Sequence, residues 1–98
     1  MYKIIFSKQA EKDAVNIERS GYKPKVVEIV RTVRVTPHEI SQGFERLKGD
    51  LDGFCSRRIN LQHRFVYQVL PNTGDLRDEN DELYEGIVQI LRMWSHYE

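Results

Sequence analysis

Between Cys55 and Val69 the odd positions carry Cys55, Ile59, Leu61, Phe65, Tyr67 and Val69, whereas the even positions carry Ser56, Arg58, Asn60, Arg64 and Gln68. A period of two belongs to strands, whose successive side chains point to opposite faces. Directly opposed residues on paired strands share a face. Pairing residue 60 with residue 64 puts all the odd positions on one face, which becomes the core, and sets Arg58 and Arg64 close together on the other. A slip of one residue would set Phe65 and Tyr67 against the polar series. Arg57 is the misfit, since it falls on the core face. Near the start of its strand, its stem can pack while its head reaches water.

The hairpin needs a cover, and the preceding residues supply one. Tyr2-Lys-Ile-Ile-Phe6 reads as a short strand. Ser7 suits a helix N-cap, Ala10, Ala14 and Ile17 recur at helical spacing, and Gly21 stops the helix. Pro24 fits the first position of a second helix, whose apolar stripe is Val26, Ile29, Val30 and Val33, and Pro37 ends it. Phe44 to Lys48 reads as a short strand, Gly49 to Gly53 as a turn, Phe54 to Asn60 and Arg64 to Leu70 as strands, and Gly86 to Trp94 as a strand buried on both faces. The expected fold is α+β: two N-terminal helices packed on a small, mostly antiparallel twisted sheet. Ninety-eight residues make one domain, 1–98.

Charge and cysteine content narrow the setting. The net charge is zero, yet Pro71 to Gly86 holds Asp75, Asp78, Glu79, Asp81, Glu82 and Glu85 against Arg77 alone. This acidic stretch, near 72–85, reads as a hairpin insertion on a basic body. A basic body points to nucleic acid or to an acidic partner. The lone Cys55 forms no internal disulfide and no cysteine cluster, and no apolar run reaches the length of a membrane span. A cytoplasmic protein without membrane contact is expected.

Two arginines on one open face suit a phosphate, because guanidinium meets phosphate oxygens with paired hydrogen bonds. Metal-free cleavage of RNA asks for three roles: a base at the 2′-hydroxyl, a cation for the charge building on phosphorus, and an acid for the leaving 5′-oxygen. Glu45 precedes the basic hairpin, Arg58 and Arg64 lie on it, and His96 follows the last strand between Trp94 and Tyr97. Lys48 and Lys3 could add charge. Taken singly, each residue has a simpler reading: Glu45 as a surface carboxylate, the arginines as solvated strand residues, His63 as part of a turn, Tyr67 and Trp94 as core.

Four stretches carry a resemblance: Tyr2-Lys-Ile-Ile-Phe-Ser7; Thr36-Pro37; the block from Glu45-Arg-Leu-Lys48 through Leu51-Asp-Gly-Phe-Cys-Ser-Arg-Arg-Ile59 to His63-Arg-Phe-Val-Tyr67; and Ser95-His-Tyr97. On these the chain resembles the RelE/ParE superfamily of toxins from toxin–antitoxin modules, and within it the YoeB/Txe branch. The likeness implies two helices against a small antiparallel sheet and an endoribonuclease that cleaves mRNA at the ribosomal A site. It puts the general base on Glu45, the phosphate-stabilising arginine on Arg64 and the general acid on His96, with Lys48, Arg58 and Tyr97 supporting substrate binding. It implies no metal and no organic cofactor. The partners implied are a cognate antitoxin, the ribosome with its mRNA, and a second copy in a homodimer. Two features depart from the pattern: Cys55 stands where the family often has tryptophan, and the segment from Leu70 to Gly86 is longer and more acidic than a tight turn. Two other functions fit the same fold, a ParE-like gyrase poison and a non-catalytic antitoxin-binding module.

Overall fold

The structure, a computed structural model, describes residues 1–94. The chain runs β1 (Tyr2–Phe6), α1 (Lys8–Ser20), α2 (Lys23–Val35), β2 (Glu45–Arg46), a 3₁₀ turn (Gly49–Leu51), β3 (Phe54–Arg58), β4 (Arg64–Pro71) and β5 (Gly86–Arg92). The strands form one sheet in the order β1-β5-β4-β3-β2. β1 pairs with β5 in parallel and the other three pairings are antiparallel. The expected α+β architecture holds, and the parallel pair follows from the helical hairpin, which carries the chain from one edge of the sheet to the other.

Both helix boundaries form by local chemistry. Ser7 Oγ accepts from Ala10 N at 3.0 Å and donates to Leu91 O at 2.9 Å, so the cap also pins α1 to β5. Gly21 closes α1 in the left-handed conformation. Ala10 and Ile17 of α1 and Val26, Ile29 and Val33 of α2 bury against Cys55, Phe65, Tyr67, Val88, Ile90 and Met93. Asp13 is buried among them, and its carboxylate accepts from Met93 N at 2.9 Å and Trp94 N at 3.2 Å, fixing the end of β5. Cys55 faces this core, and burial pushes its thiol up, away from reactive thiolate.

Several expectations change in detail. The hairpin pairs Arg58 with Arg64 rather than residue 60 with residue 64. Parity is kept, so the faces stand. Asn60 Oδ1 accepts from Gln62 N and His63 N, which draws residues 59–63 into the turn and leaves Leu61, expected in the core, 98% exposed. β2 is only two residues long. β5 is buried on one face and half-buried on the other, not on both. The largest departure is Arg57, which lies next to the end of β3 rather than near its start and is fully buried.

Arg57 brings its charge inside because the chain after α2 folds over it. Its Nε donates to Tyr67 OH at 3.0 Å, Nη1 to Ser41 O at 3.0 Å, and Nη2 to Pro37 O at 3.2 Å and Glu39 O at 2.8 Å. Its guanidinium lies 5.0 Å from the centre of the Phe44 ring. Tyr67 OH in turn donates to Pro37 O. Burial raises the Tyr67 hydroxyl to about 12, against the partial opposition of Arg57. The raised value has a consequence. Between pH 10 and 12 the unfolded state releases this proton and the folded state keeps it, so stability falls across that window. Urea melts of the wild type and Tyr67→Phe between pH 9 and 12 should diverge there, with the phenylalanine variant showing the flatter decline; parallel curves would contradict this.

The acidic segment is a built hairpin. Asn72 Nδ2 donates to Leu76 O and Tyr84 O, and Asn72 Oδ1 accepts from Leu76 N. Arg77 bridges to Leu83, and Asp78 Oδ1 accepts from Asn80 N and Glu82 N. Its base leans on β1, where Glu85 N donates to Met1 O and the Glu85 carboxylate takes the N-terminal ammonium at 2.9 Å.

Candidate functional site

The helices cover one face of the sheet, and the candidate residues gather on the other. The route to the site begins with the segment after α2. Gln42 and Gly43 both take positive φ, a sharp reversal that delivers Phe44 into the core and Glu45 onto the edge strand. Gly43 is required twice over. Its φ of +68° suits glycine, and a Cβ there would come within 3.0 Å of Arg58 Cβ. Gln42 O accepts from Arg58 N at 2.7 Å, which seals the reversal against β3.

That closeness sets up Arg64. Its Nη2 donates to Gly43 O at 2.6 Å and its Nε to Ser56 Oγ at 2.9 Å. Glu45 pairs across the sheet with Ser56, so carboxylate, hydroxyl and guanidinium share one face. The Glu45 carboxylate lies 4.0 Å from Arg64 Nη2, a loose ion pair with the carboxylate largely in solvent. Arg58 stands directly opposite Arg64 and is exposed. Two cations at one end of an open sheet face, one of them anchored by neutral acceptors, leave guanidinium donors available for an anion. A carboxylate beside them is exposed enough to take a proton from a bound hydroxyl.

The other candidates divide. Lys48 lies three residues beyond Glu45, exposed, at the start of the 3₁₀ turn, with no hydrogen bond or ion pair joining it to Glu45 or Arg64. His96 and Tyr97 lie outside the described residues. β5 runs antiparallel to β4, so its end at Arg92 comes beside Val66, next to the start of β4 at Arg64. His63, next to Arg64 in the chain, is buried and stacks on Trp94 with ring centres 3.9 Å apart, which makes it a structural residue beside the turn. Among the described residues, no group of three His, Cys, Asp or Glu side chains is placed to hold a metal ion.

Two residues of the arrangement were not singled out from the sequence. Ser56 orients Arg64, and Gly43 supplies the second acceptor. Ser56 stands on the even face beside Arg58, so the alternation places it, but its hydrogen bond depends on an arginine eight residues away. Gly43 carried no legible signal, because its carbonyl reaches Arg64 only after the reversal at 42–43 has formed.

The sequence model of a family described as the YoeB-like toxin of bacterial type II toxin–antitoxin systems matches residues 6–97. A protein named Toxin YoeB from Escherichia coli O6:H1 is 38% identical over 69 residues, spanning 68% of this chain and 82% of that protein. Among solved structures, a YoeB/ParE toxin from Agrobacterium tumefaciens superposes with a TM-score of 0.77 at 26% identity, over 97% of this chain and 99% of that one. The toxin of Staphylococcus aureus superposes as part of a YoeB–YefM complex, with a TM-score of 0.70, 28% identity and 99% of both chains covered. It also superposes as a YoeB dimer, with a TM-score of 0.72, 26% identity and 98% of both chains covered.

Proposed function

Because the chain belongs to the YoeB-like toxins of bacterial type II toxin–antitoxin systems, we propose that it is an endoribonuclease that cuts mRNA in the ribosomal A site and so stops translation. The observation that carries the reading is the Glu45–Ser56–Arg64 cluster, with Arg58 opposite Arg64, on the face of the sheet turned away from the helices. Glu45 takes the proton of a 2′-hydroxyl. The freed oxygen attacks the adjacent phosphorus, and Arg64, with Arg58 and Lys48 nearby, stabilises the added negative charge. His96 gives a proton to the departing 5′-oxygen, and Tyr97 assists substrate binding. The P–O5′ bond breaks as the P–O2′ bond forms, leaving a 2′,3′-cyclic phosphate and a 5′-hydroxyl. These proton transfers ask for no metal ion at the chemical step.

The S. aureus relative forms a complex with YefM and is also seen as a dimer. We extend both to this chain as a cognate antitoxin and a homodimer. No helix among the described residues is long and apolar enough to cross a membrane, and the site of action proposed is the cytoplasm, where the ribosomes are. Incubating the purified protein with ribosomes carrying a defined mRNA, and mapping the new ends, tests the reaction. Cuts confined to the A-site codon are expected. Intact mRNA, together with inhibition of gyrase, would favour the ParE-like alternative.

The acidic hairpin should be dispensable for this reaction. It leaves the sheet at Pro71, seven residues along β4 from Arg64, or about 23 Å. That exceeds the Debye length of about 8 Å at physiological salt, so its carboxylates exert little repulsion on a phosphate at Arg64. Replacing residues 72–85 by Asn-Gly, a two-residue hairpin turn, should leave cleavage within a few-fold of wild type. A shortened protein that folds and binds ribosomes but no longer cuts would place the hairpin in the site.

A further inference from the structure

The open face carries a feature that the acid–base reading leaves unused. One strand row from Glu45 lies a groove of about 470 Å³ lined chiefly by Leu47, Leu51, Phe54, Val66, Leu91 and Arg92, together with Gln9 of α1. Strand alternation would make this solvent face polar, yet Leu47 follows Glu45 by two residues, Phe54 precedes Ser56 by two, and Val66 lies across from Ser56. Leu47 N donates to Phe54 O at 2.9 Å, so Leu47, just past the end of β2, stays opposite Phe54 of β3 in one row. The face thus has three rows in sequence: Arg58 with Arg64, then Glu45 with Ser56 and Val66, then Leu47 with Phe54 and Gln68. Successive rows are about 7 Å apart, two residues of strand rise.

We infer that this groove is a nucleobase subsite, holding the base of the nucleotide on the 5′ side of the cut, whose 2′-hydroxyl Glu45 deprotonates. The inference rests on the reaction proposed above. In a ribonucleotide C2′ lies between C1′, which bears the base, and C3′, which bears the scissile phosphate. With the 2′-oxygen at Glu45 and the phosphate toward Arg58 and Arg64, the base leaves the sugar on the opposite side. On this face that side is the Leu47–Phe54 row. An aromatic ring on an apolar floor stacks a base irrespective of its identity, while cations nearby, here Arg92 and Lys48, attract the backbone. A free protein partner would need the same apolar floor, but it would not need it one strand row from Glu45.

The test is a double-mutant cycle on ribosomes programmed with mRNA that carries either a normal nucleotide or an abasic ribose at the attacked position. Wild type and Phe54→Ala are compared, with Leu51→Ala as a second variant should Phe54→Ala melt early. The wild type should lose roughly 5- to 150-fold in rate on the abasic message, the range for one stacked base. Phe54→Ala should be slowed to a similar degree on the normal message and lose little more on the abasic one. Equal rates of the wild type on both messages, or losses that simply multiply, would overturn the subsite while leaving the reaction standing. Multiplying losses accompanied by a shift of Phe54→Ala from dimer to monomer would assign the groove to a second copy of the chain. No cleavage of the normal message by wild type would overturn the reaction, and the subsite with it.

Discussion

Glu45→Gln should slow cleavage of mRNA on the ribosome by about 10²–10⁴-fold, the range for loss of a general base. The substitution keeps the shape of the side chain and removes its basicity. Glu45 is exposed and touches Arg64 only across 4.0 Å, so the fold has little to lose: an exposed ion pair contributes at most about 1 kcal/mol. A large kinetic effect with an unchanged melting temperature therefore separates chemistry from structure. Arg64→Ala should cost on the order of 2.7–4 kcal/mol in the transition state. It also frees Gly43 O and Ser56 Oγ, so Arg64→Lys belongs beside it, keeping the charge while losing the two-pronged grip on those acceptors. If Glu45→Gln cuts at nearly the wild-type rate, Glu45 is not the base, and Lys48, three residues on, becomes the group to test.

How much of the structure is legible in the sequence follows the range of the forces involved. Ser7, Gly21 and the stripe Val26, Ile29, Val33 act within a turn or two of helix, and each helix forms where its local pattern places it. The faces of the β3–β4 hairpin were legible because parity survives a shift of two. The register was not, because it depends on Asn60 capping the turn with its own side chain. Glu45 and Arg64 were named from a motif and meet on one face. What brings them together, the reversal at Gln42–Gly43 and the Ser56 hydroxyl, involves residues 8 to 22 positions from Arg64 that no periodicity links. Arg57 fails for the same reason in a sharper form. A charged residue on a core face reads as a head reaching for water, unless the carbonyl groups that replace the water are already in view.

Those carbonyls make Arg57 the residue whose loss should cost the fold most. Within the described residues it has no ion-pair partner, and it depends on neutral acceptors from Pro37, Glu39, Ser41, Gln42 and Tyr67. Replacing a buried charge by an apolar group can be neutral when its partners are replaced with it. Here three of the partners, Pro37 O, Glu39 O and Ser41 O, are backbone and stay behind; each keeps one other donor but loses a hydrogen bond to a charged group, worth about 1.5–3 kcal/mol. Arg57→Met should therefore destabilise by at least about 3 kcal/mol, with some relief where the 37–43 segment swings out to water. Arg57→Lys should fall between, since an ammonium keeps the charge but cannot reach around the cage as a planar fork does. Denaturant melts rank the three proteins. The site should feel the same change, because the segment that Arg57 holds ends in Gly43, whose carbonyl anchors Arg64, and in Glu45 two residues later. Cleavage by folded Arg57→Lys should fall through a lower kcat, with KM for ribosomes little altered, as Arg64 and Glu45 lose their mutual placement. A midpoint for Arg57→Met equal to that of wild type would mean that the segment rearranges at no cost, and that the carbonyl cage does not hold the site.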